Sequence, residues 1–127
     1  MVRAILVEDN HEFRQCLKKI LCTHYPLIQV IEAKNEEEVM REIDRVPPDL
    51  IFMDIRLPGK NGLQLTQEIK SRHPNIVVIV LTDYDLPEYQ ETAYRSGANY
   101  FVSKDSSMGD FFALVESVTQ ICSSGLN

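Results

Sequence analysis

Asp49–Gly62 reads DLIFMDIRLPGKNG, and the fold turns on this stretch. Leu50, Ile51, Phe52 and Met53 are apolar in succession, with no polar residue alternating. That is the pattern of a strand buried on both faces at the centre of a parallel sheet. Asp54 cuts the run and Pro58-Gly59 follows, a pair that cannot continue a central strand and favours a turn. Asp54 is therefore expected at the carboxyl end of a buried strand, on the rim where open α/β sheets bind ligands.

Working outward, Ala4–Val7, Ile28–Ala33, Ile76–Leu81 and Asn99–Ser103 read as further strands. Helical spacing fills the gaps between them. Asn10 or Asp9 caps a first helix carrying Phe13, Leu17, Ile20 and Leu21, which fades before Pro26. Asn35 caps a second, with Glu36, Glu37 and Glu38 in the first turn, where the helix dipole favours acids. Val39, Ile43 and Val46 give that helix one apolar face, and Pro47-Pro48 ends it. Asn61-Gly62 leads into a third helix with Leu65 and Ile69 inward, finished at His73-Pro74. Pro87 opens a fourth that runs to about Ser96, with Gly97 placed to stop it. The last carries Phe111, Val115, Val118 and Cys122 on one stripe, with Phe112 beside it. Strands alternating with helices predict an α/β fold, a doubly wound five-stranded parallel sheet with right-handed crossovers and the flavodoxin-like order 2-1-3-4-5.

The size suits one domain: residues 4–122 make the unit, and 123–127 a frayed end or the start of a linker. The 127 residues are 44% apolar and 25% charged, which is ordinary for a soluble globular protein. No segment approaches the roughly 18 consecutive apolar residues of a membrane span. MVRAILVEDN has too short an apolar run to be a secretory signal, so a cytoplasmic protein is expected. A net charge of −6 argues against nucleic-acid binding through this domain, because phosphate contacts need a basic face. Cys16, Cys22 and Cys122 have no metal-ligand spacing and are expected as buried free thiols in helices.

Polar residues interrupt the apolar runs at revealing places. Strand one ends in Glu8-Asp9, strand three in Asp54, strand four in Thr82 and strand five in Lys104. In a parallel sheet these ends share one rim, and neighbouring strands lie about 4.8 Å apart. Glu8, Asp9 and Asp54 are thus expected in one crevice, where they need a cation or protons. All the donors are hard oxygens, which points to Mg²⁺ rather than zinc. With the Lys104 ammonium and the Thr82 hydroxyl added, the rim suits a phosphoryl group, with Asp54 as nucleophile and an aspartyl phosphate as product.

At this point the chain resembles the receiver domains of two-component response regulators. The resemblance rests on ILVEDN at 5–10, MDIRLPGKNG at 53–62, VLTDYD at 80–85 and GANYFVSKD at 97–105. It implies that Asp54 is the phosphoacceptor. Asp9, Asp54 and the backbone carbonyl of Arg56 would ligate Mg²⁺, with Glu8 acting mainly through water. Thr82 would bond the phosphoryl group and Lys104 would pair with it. The implied donor is a phosphohistidine on a sensor histidine kinase or a phosphotransfer protein. Thr82 and Phe101, three residues before Lys104, would form the switch, Tyr100 facing the other way. The implied output face is the fourth helix, the fifth strand and the fifth helix, with homodimerisation on phosphorylation.

Some positions depart from the usual pattern. Asp105 follows Lys104 where many receivers carry Pro, and Lys-Asp resembles the subfamily (LuxR/NarL type) whose receivers precede a helix-turn-helix DNA-binding domain. The chain is expected either to stand alone or to be the front of a transcription regulator, and Lys104-Asp105 favours the second, with an output domain absent from this chain. Asp83 replaces a small residue, and Arg56 with Tyr84 would slow hydrolysis of the acyl phosphate. Turnover of an external substrate is not expected. The rivals are a flavin carrier, disfavoured by Glu8-Asp9 where a phosphate loop should be, and an aspartyl phosphatase of the haloacid dehalogenase type, disfavoured by Arg56 in place of a second Asp. The third is a phosphorylation-independent interaction module on the same fold.

Overall fold

The structure, a computed structural model, describes residues 2–59, 61–83 and 86–124. The Tyr84 expectation and the end of the 123–127 segment lie outside the described residues. The chain runs β1 (Val2–Val7), α1 (His11–His24), β2 (Ile28–Ala33), α2 (Glu36–Arg45), β3 (Leu50–Asp54), α3 (Gly62–Arg72), β4 (Val77–Thr82), α4 (Pro87–Arg95), β5 (Tyr100–Ser103) and α5 (Met108–Ser124). All strand pairs are parallel and their order is β2-β1-β3-β4-β5, as the alternation predicts.

Strand alternation sorts the core into two halves. Ile5, Val7, Ile51, Met53, Val78 and Val80 face one side, with Val39 and Ile43 of α2, Leu65 and Ile69 of α3 and Ala93 of α4. Ala4, Leu6, Leu50, Phe52, Val77, Ile79 and Leu81 face the other, with Leu17 and Leu21 of α1 and Phe111, Val115 and Val118 of α5. β3 and β4 are buried along their whole length, which explains their unbroken apolar sequences. Tyr100 and Phe101 fall into opposite halves, as alternation predicts.

Two glycines are required by the backbone. Gly97 ends α4 at φ 102°, in the left-handed region that Cβ-bearing residues avoid. Gly62 opens α3 against β3: a Cβ there would lie 1.9 Å from the Asp54 carbonyl oxygen, while the Gly62 N–H donates to Ile55 O at 2.7 Å. Gly62→Ala must push α3 away from the end of β3. We expect a loss of about 2–3 kcal/mol in urea unfolding.

Some expectations are corrected. Cys16 and Cys22 are exposed and Cys122 is half-buried. Positions 16 and 22 fall off the α1 stripe of Leu17 and Leu21, so they face solvent. Val46 is exposed because α2 ends before it and Val46 serves as its C-cap. Asn10, not Asp9, caps α1: its side chain accepts from Phe13 N–H at 3.0 Å. No helix among the described residues is long and apolar enough to cross a membrane.

Candidate functional site

The strand ends build one rim. β1 delivers Glu8 beside Asp54 because Val7 pairs with Met53. β4 delivers Thr82 because Leu81 pairs with Asp54, and β5 delivers Lys104 because Ser103 pairs with Thr82. Glu8, Asp54 and Thr82 are buried, Thr82 completely. The Lys104 N–H donates to the Thr82 carbonyl at 2.8 Å, tying the last two ends together. The Lys104–Asp105 peptide is trans.

Alternation decides who meets whom. Glu8 continues the side of Ala4 and Leu6, Asp54 that of Leu50 and Phe52, and Lys104 that of Tyr100 and Val102. All three therefore reach the side covered by α1 and α5. There the Lys104 Nζ donates to Glu8 Oε1 at 2.6 Å and lies 3.5 Å from Asp54 Oδ1 and 4.0 Å from Asp83 Oδ2. The Phe13 ring of α1 lies 4.4 Å beneath the ammonium, a cation–π support. Thr82 continues the side of Val78 and Val80, and Phe101 pairs with Val80 and packs against the core on that side.

One ammonium serves two buried carboxylates, and the electrostatics follow. Burial, then the hydrogen bond and charge of Glu8, push the Asp54 carboxyl up to about 7, against the pull of Lys104 and of an Arg56 backbone hydrogen bond. Burial opposes the charged Lys104, but the Glu8 hydrogen bond and the charges of Asp54, Glu8 and Asp83 outweigh it, so its pKa is raised. The pair therefore has room for more positive charge.

Asp9 behaves differently from its neighbour. It is exposed and lines an open hollow of about 520 Å³ together with Ile55, Arg56, Leu57, Pro58, Gly59, Asn61 and Tyr89. Among the described residues no three His, Cys, Asp or Glu side chains are grouped to hold a metal ion, while Glu8 and Asp54 meet at Lys104. Lys104 holds the Glu8 carboxylate, while Asp9 lies exposed at the start of the loop. Two carboxylates and a backbone carbonyl still suit Mg²⁺, which takes few carboxylates and keeps several waters. The buried Asp54 carboxyl, raised by burial and by Glu8 beside it, fits a cation for the same electrostatic reason.

Comparison with known proteins fixes the family. The response regulator receiver domain model matches residues 4–116. The chain belongs to the receiver domain family. It is thus the receiver domain of a response regulator in a two-component system. The receiver is 34% identical to the DNA-binding transcriptional activator DevR/DosR of Mycobacterium tuberculosis, over 83% of this chain and 48% of that protein. It is 27% identical to the transcriptional regulatory protein DegU of Brevibacillus brevis, over 98% of this chain and 51% of that protein. Among solved structures it superposes on a LuxR-family DNA-binding response regulator from Staphylococcus aureus with a TM-score of 0.84 and 27% identity, covering 93% of this chain and 98% of that one. The receiver spans about half the length of these two transcription regulators.

Sequence reasoning missed Phe13 as the floor under Lys104, and Arg14. Arg14 is a buried charged residue on the α1 stripe, three residues before Leu17 and seven before Leu21. That placement, a charge at a core position, is the signal that was available.

Proposed function

We propose that the receiver accepts a phosphoryl group on Asp54, with Mg²⁺, and passes the change to α4, β5 and α5. The observation that carries this reading is Lys104 Nζ lying between Glu8 at 2.6 Å and Asp54 at 3.5 Å on the carboxyl rim. Asp9, Asp54 and the Arg56 backbone carbonyl would hold the metal, with Glu8 acting through water. When bound, Mg²⁺ supplies the positive charge that keeps Asp54 ionised and offsets charge on the transferring oxygens.

An Asp54 carboxylate oxygen attacks phosphorus of a phosphohistidine carried by a sensor kinase or phosphotransfer protein. The oxygen–phosphorus bond forms as the donor's nitrogen–phosphorus bond breaks, and the imidazole leaves with that electron pair. Lys104 turns from Glu8 to the phosphoryl oxygens and Thr82 donates its hydroxyl to them. Phe101 lies on the Thr82 side of the sheet, so an inward move of Thr82 alters the space available to its ring. Residues 4–122 make the working unit, and an output domain absent from this chain carries the signal to transcription, with homodimerisation accompanying phosphorylation. Water returns Asp54 and free phosphate, without turnover of an external substrate.

Beryllofluoride, an analogue of the phosphoryl group, tests the reading. With Mg²⁺ present, the amide resonances of Thr82, Phe101 and Lys104 are expected to shift together and saturably. A spectrum unchanged by beryllofluoride at millimolar Mg²⁺ refutes it.

A further inference from the structure

Arg14 is nine-tenths buried on α1, and its hydrogen bonds run to Glu8, Glu32 and His11 and not to Asp54 or Lys104. Its Nη1 donates to the backbone carbonyl of Glu8 at 2.8 Å, and its Nε donates to Glu32 Oε1 on β2 at 2.9 Å. Its Nη2 meets His11 Nδ1 at 3.1 Å. Glu32 is itself held by Lys18 at 2.9 Å and by Gln15. The fork therefore spans three elements and ends on the peptide that joins Glu8 to Asp9.

Stability alone does not ask for a guanidinium here. The position lies on a stripe with Leu17 and Leu21, where an aliphatic side chain would pack without the several kcal/mol of desolvation a buried ion costs. The Glu8 carbonyl and the Asp9 amide belong to one planar peptide, so fixing the first sets the direction in which Asp9 leaves the strand. The rest of Glu8 is also pinned: its N–H donates to Ala33 O at 3.0 Å, and its carboxylate accepts from Asn10 N–H at 3.1 Å and from Lys104 at 2.6 Å.

We infer that Arg14 is a positioning residue for the metal and phosphoryl site: its guanidinium clamps the Glu8–Asp9 peptide to β2 and so aims the acids of the β1–α1 turn. This rests on the phosphoacceptor reading. Partners of this kind, one bond behind the ligands, commonly change metal affinity by about tenfold or more when removed.

The test is Mg²⁺ affinity by calorimetry, well below the melting temperature, for the native chain, Arg14→Lys, Arg14→Met and Glu32→Ala. Clamping predicts that Arg14→Lys, which keeps the charge but loses the fork, binds Mg²⁺ about tenfold more weakly. Arg14→Met weakens likewise, and Glu32→Ala weakens by a smaller factor. A role through charge alone predicts the opposite pattern, with Arg14→Lys unchanged and Arg14→Met tighter. A purely structural role lowers the melting temperature and leaves the affinity of the folded molecules unchanged. Either pattern overturns the inference. Should the Arg14 variants not fold, Glu32→Ala decides, and native affinity there overturns it. A native chain that binds no Mg²⁺ defeats the phosphoacceptor reading and this inference together, whereas native binding with unaltered variants defeats the inference alone.

Discussion

Asp54→Asn melts higher than the native receiver in metal-free buffer at pH 8, by about 2 kcal/mol or on the order of 8 °C, and loses phosphoryl uptake altogether. Both results follow from one fact: Asp54 is a buried acid beside another buried acid, with a single ammonium between them. Its carboxyl is pushed from 3.8 to about 7, by burial first and by Glu8 second. For a pKa raised on folding, the stabilising contribution is fully present below 3.8 and is gone once pH has risen through about 7. Metal-free native protein therefore loses stability across that interval, while Asn, which has no charge to bury, does not. The advantage of Asp54→Asn should shrink toward pH 4 and should be reversed by Mg²⁺, which the variant no longer holds well. Thermal melts across pH, with and without Mg²⁺, check this. A variant that is less stable at pH 8 without metal would show that Asp54 is not electrostatically strained.

Lys104→Met is expected to cost about 3 kcal/mol at pH 8 without metal. Met retains much of the aliphatic stem over Phe13 but removes the charge shared by Glu8 and Asp54, whose side chains are only 4% and 10% exposed. With the ammonium gone, the Asp54 carboxyl loses the charge that lowers its pKa and binds its proton more tightly, so the deficit should narrow as pH falls and widen as it rises. Mg²⁺ should recover part of the loss by supplying positive charge at the same pair. The beryllofluoride response should disappear even at saturating Mg²⁺, because Lys104 is the proposed partner of the phosphoryl oxygens. Urea titrations at pH 6 and pH 8 measure the first effect and amide spectra the second. A pH-independent deficit would mean that Lys104 matters for packing and not as a counterion.

The central strands were legible because burial on both faces leaves an unbroken apolar run, as at Leu50–Met53 and Val77–Leu81. Their ends were legible for the same reason, since Glu8, Asp54, Thr82 and Lys104 are where a polar residue first interrupts such a run. The pairing within the rim was not. Whether Lys104 favours Glu8 or Asp54 depends on side-chain direction and on the ring beneath it, and both are properties of the packed sheet. Strand spacing alone does not give the surroundings of Asp9, which is exposed and lines the open hollow with Ile55 and Arg56. Cys16 and Cys22 were misread through their general preference for burial, although the α1 stripe of Leu17 and Leu21 already excluded them. Arg14 was passed over for the opposite reason: a charge on an apolar stripe breaks the pattern, and such a break marks a buried polar contact.

A carboxylate oxygen of Asp54 is the proposed acceptor of phosphorus. Incubation of the native receiver and Asp54→Asn with acetyl phosphate and Mg²⁺, followed by intact-mass measurement and peptide mapping, addresses it directly. The account predicts a mass gain of one phosphoryl group on the native peptide containing Asp54, abolished by EDTA and absent from the variant. A phosphoryl group on another residue, or none on native protein at saturating Mg²⁺, contradicts it.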